Sequence, residues 1–324
     1  MTREPAPIGL SGVAGVLPPR FRVLSDLAGD GLLTSAPEVL SGFGFDRAYV
    51  CDESCTVEHM ARAAAQLALA DAGLHSQQID LLIWASARAE NHVCTSPAAG
   101  DGRGSLLDGF RYSSAWLQHA LELDHADVMA VAQQGCSTMF SALRVAQALL
   151  TAHPGRQHVL CVAADALPRG SHREILYNVI SDAACAVVVS RGSTAERWVG
   201  CRQLSKGGYW DPSSCGPEII ASYFPTARAV IAQLLDDHCV DAADVDVVVP
   251  TGVNRASWEI LIRLLGIPSD RIYQSLPSFG HTLTSDTFLF LQALRREKRL
   301  RSGARVLLFT YGFGSSWSAI LLEH

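Results

Sequence analysis

The stretch GCSTMFSALRVAQALLTAHPGRQHVLCVAAD, residues 135–165, sets a glycine and a cysteine at the head of an amphipathic helix and follows that helix with an apolar strand. Met139, Phe140, Leu143, Ala146 and Leu150 recur at helical spacing, which predicts a helix from about 137 to 151. HVLCVAAD (158–165) carries no polar alternation, so it reads as a strand covered on both faces, in an α/β architecture with helices layered on a sheet.

Working outward, the same unit recurs. A helix over 56–73 leads to IDLLIWAS (79–86), and a helix near YSSAWLQHALEL (112–123) leads to DVMAVAQQ (127–134). Further on, the helix YFPTARAVIAQLLDDHCV (223–240) leads to the strand VDVVVPTG (245–252). An offset of 166 lays Ala61-Arg62-Ala63 on Ala227-Arg228-Ala229 and Ile79-Asp80 on Val245-Asp246 without a gap. An offset of 147 lays HVLCVAAD on RVLLFTYG (305–312). The helix ahead of the first strand begins at Cys136, and the helix ahead of the second begins at FGHTLTSD (279–286). In a duplicated fold such helix starts can meet across a pseudo-two-fold axis, which predicts that Cys136 and His281 share one site.

The bulk composition narrows the function classes. Nine scattered cysteines, with no CxxC and no Cys/His pair at zinc-finger spacing, argue against a disulfide framework or a structural metal. The formal net charge of −6 and a basic run confined to RREKRLR (295–301) argue against nucleic acid as a partner. No signal-peptide pattern and no apolar run of about 18 residues are found, so the expectation is a cytoplasmic protein that neither spans nor binds a membrane. GDGRGS (100–105) has glycines but lacks the strand–turn–helix setting of a dinucleotide site.

Cys136 has two readings from local sequence. A thiol at a helix N-terminus feels the positive end of the dipole, which favours a thiolate nucleophile, and the neighbouring amides can receive an oxyanion. The alternative is a small buried apolar residue. Cys161 and Cys185, inside apolar strands, read as core.

Over nearly its whole length the chain resembles the ketosynthase III group of the thiolase superfamily. The resemblance is carried by VEHMARAAAQLALADAGL (57–74), GCSTMFSALRVAQALL (135–150) and ISDAACAVVVS (180–190), and by PTGVNRASWEILIRLLGIP (250–268), FGHTLTSD and LLFTYGFGSSWSAILLEH (307–324), in the family's order. It implies the thiolase fold, duplicated αβαβα halves in a five-layered arrangement, here 1–175 with Cys136 and 176–324 with His281. It also implies a homodimer, and an acyl-CoA or acyl-carrier-protein donor whose CoA or phosphopantetheine arm lies in a tunnel, with no separate cofactor and no metal.

Condensing members of this family resemble one another in a Cys-His-Asn triad that stabilises the carbanion left by malonyl decarboxylation. PTGVN (250–254) puts Thr251 where that histidine stands and keeps Asn254, while FGHT puts His281 where the asparagine stands. A cysteine with one histidine and an acid is instead the layout of acyl transfer through a covalent thioester. The pattern is similar to ketosynthase III-like acyltransferases of antibiotic and polyketide pathways, which form an ester or amide with a small-molecule acceptor.

On this reading Cys136 is the nucleophile, His281 the base and Asp286 the orienting acid. The amides of Cys136 and Phe313 receive the oxyanion, and Thr251 and Asn254 line the pocket. Residues i and i+5 lie about 140° apart on a helix, so His281 belongs to the turn and Asp286 to the helix start. Asp286, after Thr284 and Ser285, reads equally as a helix N-cap. Two other functions stand beside acyl transfer: a C–C bond-forming ketosynthase with a Cys-His dyad, and a non-catalytic thiolase-fold partner subunit.

Overall fold

The computed structural model describes residues 6–88, 110–273 and 279–324. Cys94, GDGRGS and Ser278 lie outside the described residues. The chain opens with strand β1 (Ile8–Val16) and a ribbon of β2 (Phe21–Val23) and β3 (Arg47–Tyr49) enclosing short helices α1 (Leu24–Gly29) and α2 (Pro37–Gly42). Helix α3 (Val57–Ala72), strand β4 (Leu81–Ala85), helix α4 (Ser113–Ala120), strand β5 (Asp127–Val131), helix α5 (Thr138–Ala152) and strand β6 (His158–Asp165) follow. Next come a hairpin of β7 (Glu174–Ile175) and β8 (Asn178–Val179), then strands β9 (Ala183–Arg191) and β10 (Arg197–Ser205). Helix α6 (Gly216–Asp237), strand β11 (Val247–Val249), helices α7 (Arg255–Leu265) and α8 (Asp286–Arg296), and strands β12 (Arg305–Gly312) and β13 (Ser316–Glu323) complete it.

The main sheet runs β11-β12-β13-β10-β1-β9-β6-β4-β5. It consists of two blocks of the same topology that touch where β1 meets β10, at Gly9 and Arg197. In the first, β4 is parallel to β6, β6 antiparallel to β9, and β9 antiparallel to β1. In the second, β11 is parallel to β12, β12 antiparallel to β13, and β13 antiparallel to β10. The strands that the two sequence offsets superpose, β4 on β11 and β6 on β12, therefore occupy equivalent places. Strand β9, from the sequence span 176–324, hydrogen-bonds within the first block, so in sheet terms the chain crosses between blocks after Arg191.

Apolar faces explain the layering. Helices α3 and α4 bury Met60, Ala64 and Leu117 against one face of the first block, while α6 and α7 bury Ile231, Leu234 and Trp258 against the far face of the second. Between the blocks lie α5 and α8, whose Phe140 and Phe288 rings meet at 5.8 Å in the central core. The result is five layers, helix–sheet–helix–sheet–helix. The two helices that begin at Cys136 and Asp286 are thus neighbours in the middle layer.

Local signals set several helix ends. Thr56 caps α3 by accepting from the His59 amide, and Gly73 closes it in the left-handed region. Helix α6 starts at Gly216, earlier than the 223 read from periodicity, because Pro217 suits the first turn. It continues through Pro225, whose missing amide would have bonded to Ala221; that residue is exposed, so water can take the carbonyl. Among the described residues no helix is long and apolar enough to cross a membrane, and no cluster of three or more His, Cys, Asp or Glu side chains is placed to hold a metal.

Candidate active site

After β5 the backbone turns sharply: Gln133 and Gly135 have φ of 67° and 51°, and the single 3-10 turn Gly135–Ser137 carries Cys136 into α5. The turn is pressed against the β12–β13 connection. A Cβ on Gly135 would stand 2.5 Å from the Phe313 amide nitrogen, and one on Gly312 would stand 1.9 Å from the Gln134 carbonyl oxygen and 2.9 Å from the Cys136 nitrogen. Backbone cannot move aside for a methyl group as a flexible side chain can. Gly312→Ala is expected to cost about 1–3 kcal/mol of stability by overpacking, measured by denaturant unfolding, and to slow any reaction of Cys136 by shifting its turn.

The second turn is built from both blocks. The His281 amide donates to the Val179 carbonyl at 2.7 Å, and its carbonyl accepts from the Ser181 amide at 2.8 Å, so the residues after β8 grip the histidine backbone. Leu283 takes a left-handed φ of 56°, which folds the chain back on itself ahead of α8. The Thr284 hydroxyl donates to the Asp165 carboxylate, which also accepts from Ser86 Oγ at 3.0 Å and the Ala87 amide at 2.8 Å. Burial pushes the Asp165 carboxyl upward from its ordinary range.

The outcome is a linear relay. Cys136 Sγ lies 3.4 Å from His281 Nε2, and His281 Nδ1 lies 2.5 Å from Asp286 Oδ2. The three residues are 7%, 6% and 1% exposed, so their charges are only weakly screened by water. Asp286 occupies the first turn of α8, where the helix dipole favours a carboxylate. Oδ2 also accepts from the Thr251 hydroxyl at 2.9 Å and the Gly252 amide at 2.6 Å. Oδ1 accepts from the Thr282 amide at 2.6 Å and its hydroxyl at 2.7 Å. Both amide donors lie outside α8, and the N-cap position belongs to Ser285, whose side chain makes no capping bond. Asp286 therefore bonds the His281 ring nitrogen and donors that all lie outside α8.

Electrostatics follow from this packing. Burial alone would push the His281 imidazole down, but the Asp286 charge and the Cys136 sulfur beside it hold it well above 6.5. Asp286 is held below 3.8 despite burial, by His281 and the Thr282 donors. Both shifts favour the charged form of each partner, an imidazolium bonded to a carboxylate, and Cys136 lies against the other ring nitrogen. An imidazolium at that distance is the counter-charge a thiolate nucleophile needs.

Cys136 and His281 open onto a cavity of about 300 Å³ whose wall also includes Thr251, Asn254, Tyr223 and Phe313. The six residues read from sequence are thus gathered here, five on the wall and Asp286 behind His281. Thr251 and Asn254 are committed to other partners. The Thr251 hydroxyl donates to Asp286, and Asn254 Oδ1 caps α7 by accepting from the Ser257 amide at 3.0 Å. Gly252 and Thr282 escaped notice in the sequence, although each flanks a residue singled out there. The cavity-lining residues of the β7–β8 hairpin carried no sequence signal.

Comparison with known proteins agrees with this architecture. Residues 132–207 match the family described as 3-oxoacyl-[acyl-carrier-protein (ACP)] synthase III, and residues 235–324 match its C-terminal counterpart. Among curated relatives, the beta-ketoacyl-[acyl-carrier-protein] synthase III of Sphingopyxis alaskensis is 27% identical over 334 residues, which cover 97% of this chain and 98% of that protein. Among solved structures, the 3-oxoacyl-[acyl-carrier-protein] synthase III of Aquifex aeolicus VF5 superposes with a TM-score of 0.83 at 21% identity, covering 98% of this chain and 100% of that one. ChlB3, described as an acyltransferase, superposes with a TM-score of 0.82 at 21% identity, covering 98% and 97%. At such identities the two superpositions speak for a thiolase-like fold alone.

Proposed function

From the premise that the chain belongs to the ketosynthase III family of the thiolase superfamily, we propose that it is an acyl-group transferase that loads an acyl chain on Cys136 and passes it to a hydroxyl or amine. The donor is an acyl-CoA or an acyl-carrier-protein, the second being the carrier that the relatives' names print. Cys136 sulfur attacks the thioester carbonyl, and the amides of Cys136 and Phe313, brought together where the Gly135 turn presses on Gly312, are the proposed donors to the developing oxyanion. The intermediate collapses to acyl-Cys136, and the departing thiolate takes the proton from His281. The imidazole is now neutral. It can accept the proton of an incoming hydroxyl or amine as that nucleophile attacks the acyl-enzyme, and Cys136 leaves as thiolate beside a renewed imidazolium.

The observation that carries this reading is that Thr251 turns its hydroxyl to Asp286 instead of offering a second catalytic nitrogen. Resemblance to decarboxylating members leads one to expect two convergent donors for an enolate; the described site presents one imidazole, backed by an acid. Resemblance to the Cys-His-Asp acyltransferases also underlies the proposed setting, a cytoplasmic secondary-metabolite pathway of antibiotic or polyketide type. A homodimer is the proposed assembly, because among the described residues β5 ends the sheet, with Asp127, Met129 and Ala130 exposed, and an edge strand is a surface on which a second copy can pair.

A second reading, condensation to a C–C bond through a Cys-His dyad, is favoured by the relatives' names, which are those of beta-ketoacyl synthases. One experiment separates the two. Wild-type protein carrying an octanoyl group is offered malonyl-CoA in one arm and benzyl alcohol or benzylamine in the other. Octanoyl ester or amide without CO2 release is the expected result; Cys136-dependent CO2 release with a 3-ketoacyl product would replace acyl transfer by condensation.

A further inference from the structure

The hairpin β7–β8 is an anomaly in backbone terms. Ile175 pairs with Asn178 across a two-residue loop, and the loop residues Leu176 and Tyr177 have φ of 48° and 62°. Positive φ at both positions is the type I′ pattern, which favours Asn-Gly. Leucine and tyrosine, which carry a Cβ, are strained there. Both side chains are half exposed, at 49% and 52%, and Ile175 is 38% exposed. A strained turn presenting apolar side chains to water is the reverse of what stability selects.

The hairpin is nevertheless firmly tied down. Asn178 Nδ2 donates to the Ile175 and Leu176 carbonyls at 3.1 and 3.0 Å, which holds the loop shut. Its Oδ1 accepts from the Asn254 amide at 2.9 Å, linking the hairpin to the start of α7. Glu174 accepts from the Thr34 and Ser35 amides, and the Tyr177 ring rests 5.5 Å from Phe43. Two residues past β8, the same segment grips His281. The strained tip is therefore fixed relative to the base, and Leu176 and Tyr177 stand at the rim of the Cys136 cavity.

Near this rim Asn178 bonds the hairpin and the Asn254 amide, and Asn254 Oδ1 accepts from the Ser257 amide. No lysine, arginine or carboxylate is among the described lining residues. The same cavity wall carries Tyr223, Phe224, Tyr311 and Phe313 in successive edge-on contacts. A group that gains affinity at this rim must bring uncharged apolar surface, and a ring is the shape that stacks against it.

We infer that the Leu176–Tyr177 tip selects the acceptor, favouring an uncharged, apolar, ring-bearing alcohol or amine and placing its nucleophile toward His281. This rests on the acyl-transfer reading of Cys136. The side chains act by contact and exclusion of water, so their removal lowers the rate with ring-bearing acceptors more than with small polar ones.

The test compares wild type with Leu176→Asn/Tyr177→Gly, a pair that suits a type I′ turn and should raise the thermal midpoint. Each protein is loaded with octanoyl-CoA, and the acyl-enzyme is discharged with benzyl alcohol or ethanol. The expected result is a benzyl-to-ethanol rate ratio that falls about tenfold or more, the scale of discrimination an apolar contact gives. Leu176→Met/Tyr177→Phe should keep the ratio. An unchanged ratio in Leu176→Asn/Tyr177→Gly, or a wild type indifferent to the ring, would overturn the inference while leaving acyl transfer standing. Failure of wild type to form any acyl-enzyme would overturn both.

Discussion

Cys136→Ala is expected to abolish the acyl-enzyme: after exposure to octanoyl-CoA, intact-protein mass spectrometry finds one added octanoyl group on wild type and none on the variant. Turnover should fall by roughly 10⁴-fold or more, since removing a nucleophile leaves only binding and oxyanion stabilisation. The prediction is specific because other thiols are poorly placed for this chemistry. Cys161 and Cys185 are fully buried in β6 and β9, and burial pushes both thiols upward, Cys185 to about 12. Cys51 is likewise raised, by burial and by Asp182. Among these only Cys136 has an imidazole against its sulfur. The substitution should leave the fold intact, since alanine fits within the volume the thiol occupies at the head of α5. An octanoyl adduct that persists on Cys136→Ala would move the nucleophile elsewhere and remove the basis of the proposed chemistry.

What could be read from the residues, and what could not, follows the range of the interactions involved. The alternation of helix and strand was legible because apolar periodicity is local. The duplication was legible because both copies keep register over a whole helix–strand unit, and the matching strand orders of the two blocks are its structural counterpart. Proximity of Cys136 to His281 followed from that duplication despite the long separation in sequence. The role of Asp286 is open between orienting acid and helix cap in the sequence because its partners come from two separate segments: His281 and Thr282 in its own turn, and Thr251 and Gly252 after β11. No local pattern announces such a convergence. The β7–β8 hairpin was missed for a related reason, since a Leu-Tyr loop carries none of the Asn-Gly signals by which a tight turn is recognised.

Asp286→Asn should lower turnover by between about 10² and 10⁴, with loading and discharge of the acyl-enzyme both slowed. On the proposed mechanism the carboxylate fixes the imidazole tautomer with Nδ1 protonated, leaving Nε2 toward Cys136; an asparagine can present its amide group instead and stabilise the opposite arrangement. The pH profile distinguishes this from simple loss of folding. In wild type the Asp286 charge keeps the proton on His281, so discharge to an alcohol, which needs neutral imidazole, should rise with pH through a value well above 6.5. Without that charge, burial dominates and lowers the imidazole, so the rising limb of the variant should move to lower pH even as its plateau falls. Stability carries the same signature. The contribution of His281 is complete below 6.5 and lost as pH rises through its raised value, while that of Asp286 is complete above 3.8 and lost as pH falls through its lowered value. The difference in thermal midpoint between wild type and Asp286→Asn should therefore be greatest between 3.8 and 6.5. A variant with wild-type turnover and an unmoved limb would return Asp286 to the role of a structural residue at the start of α8, and leave His281 to act on Cys136 without an orienting acid.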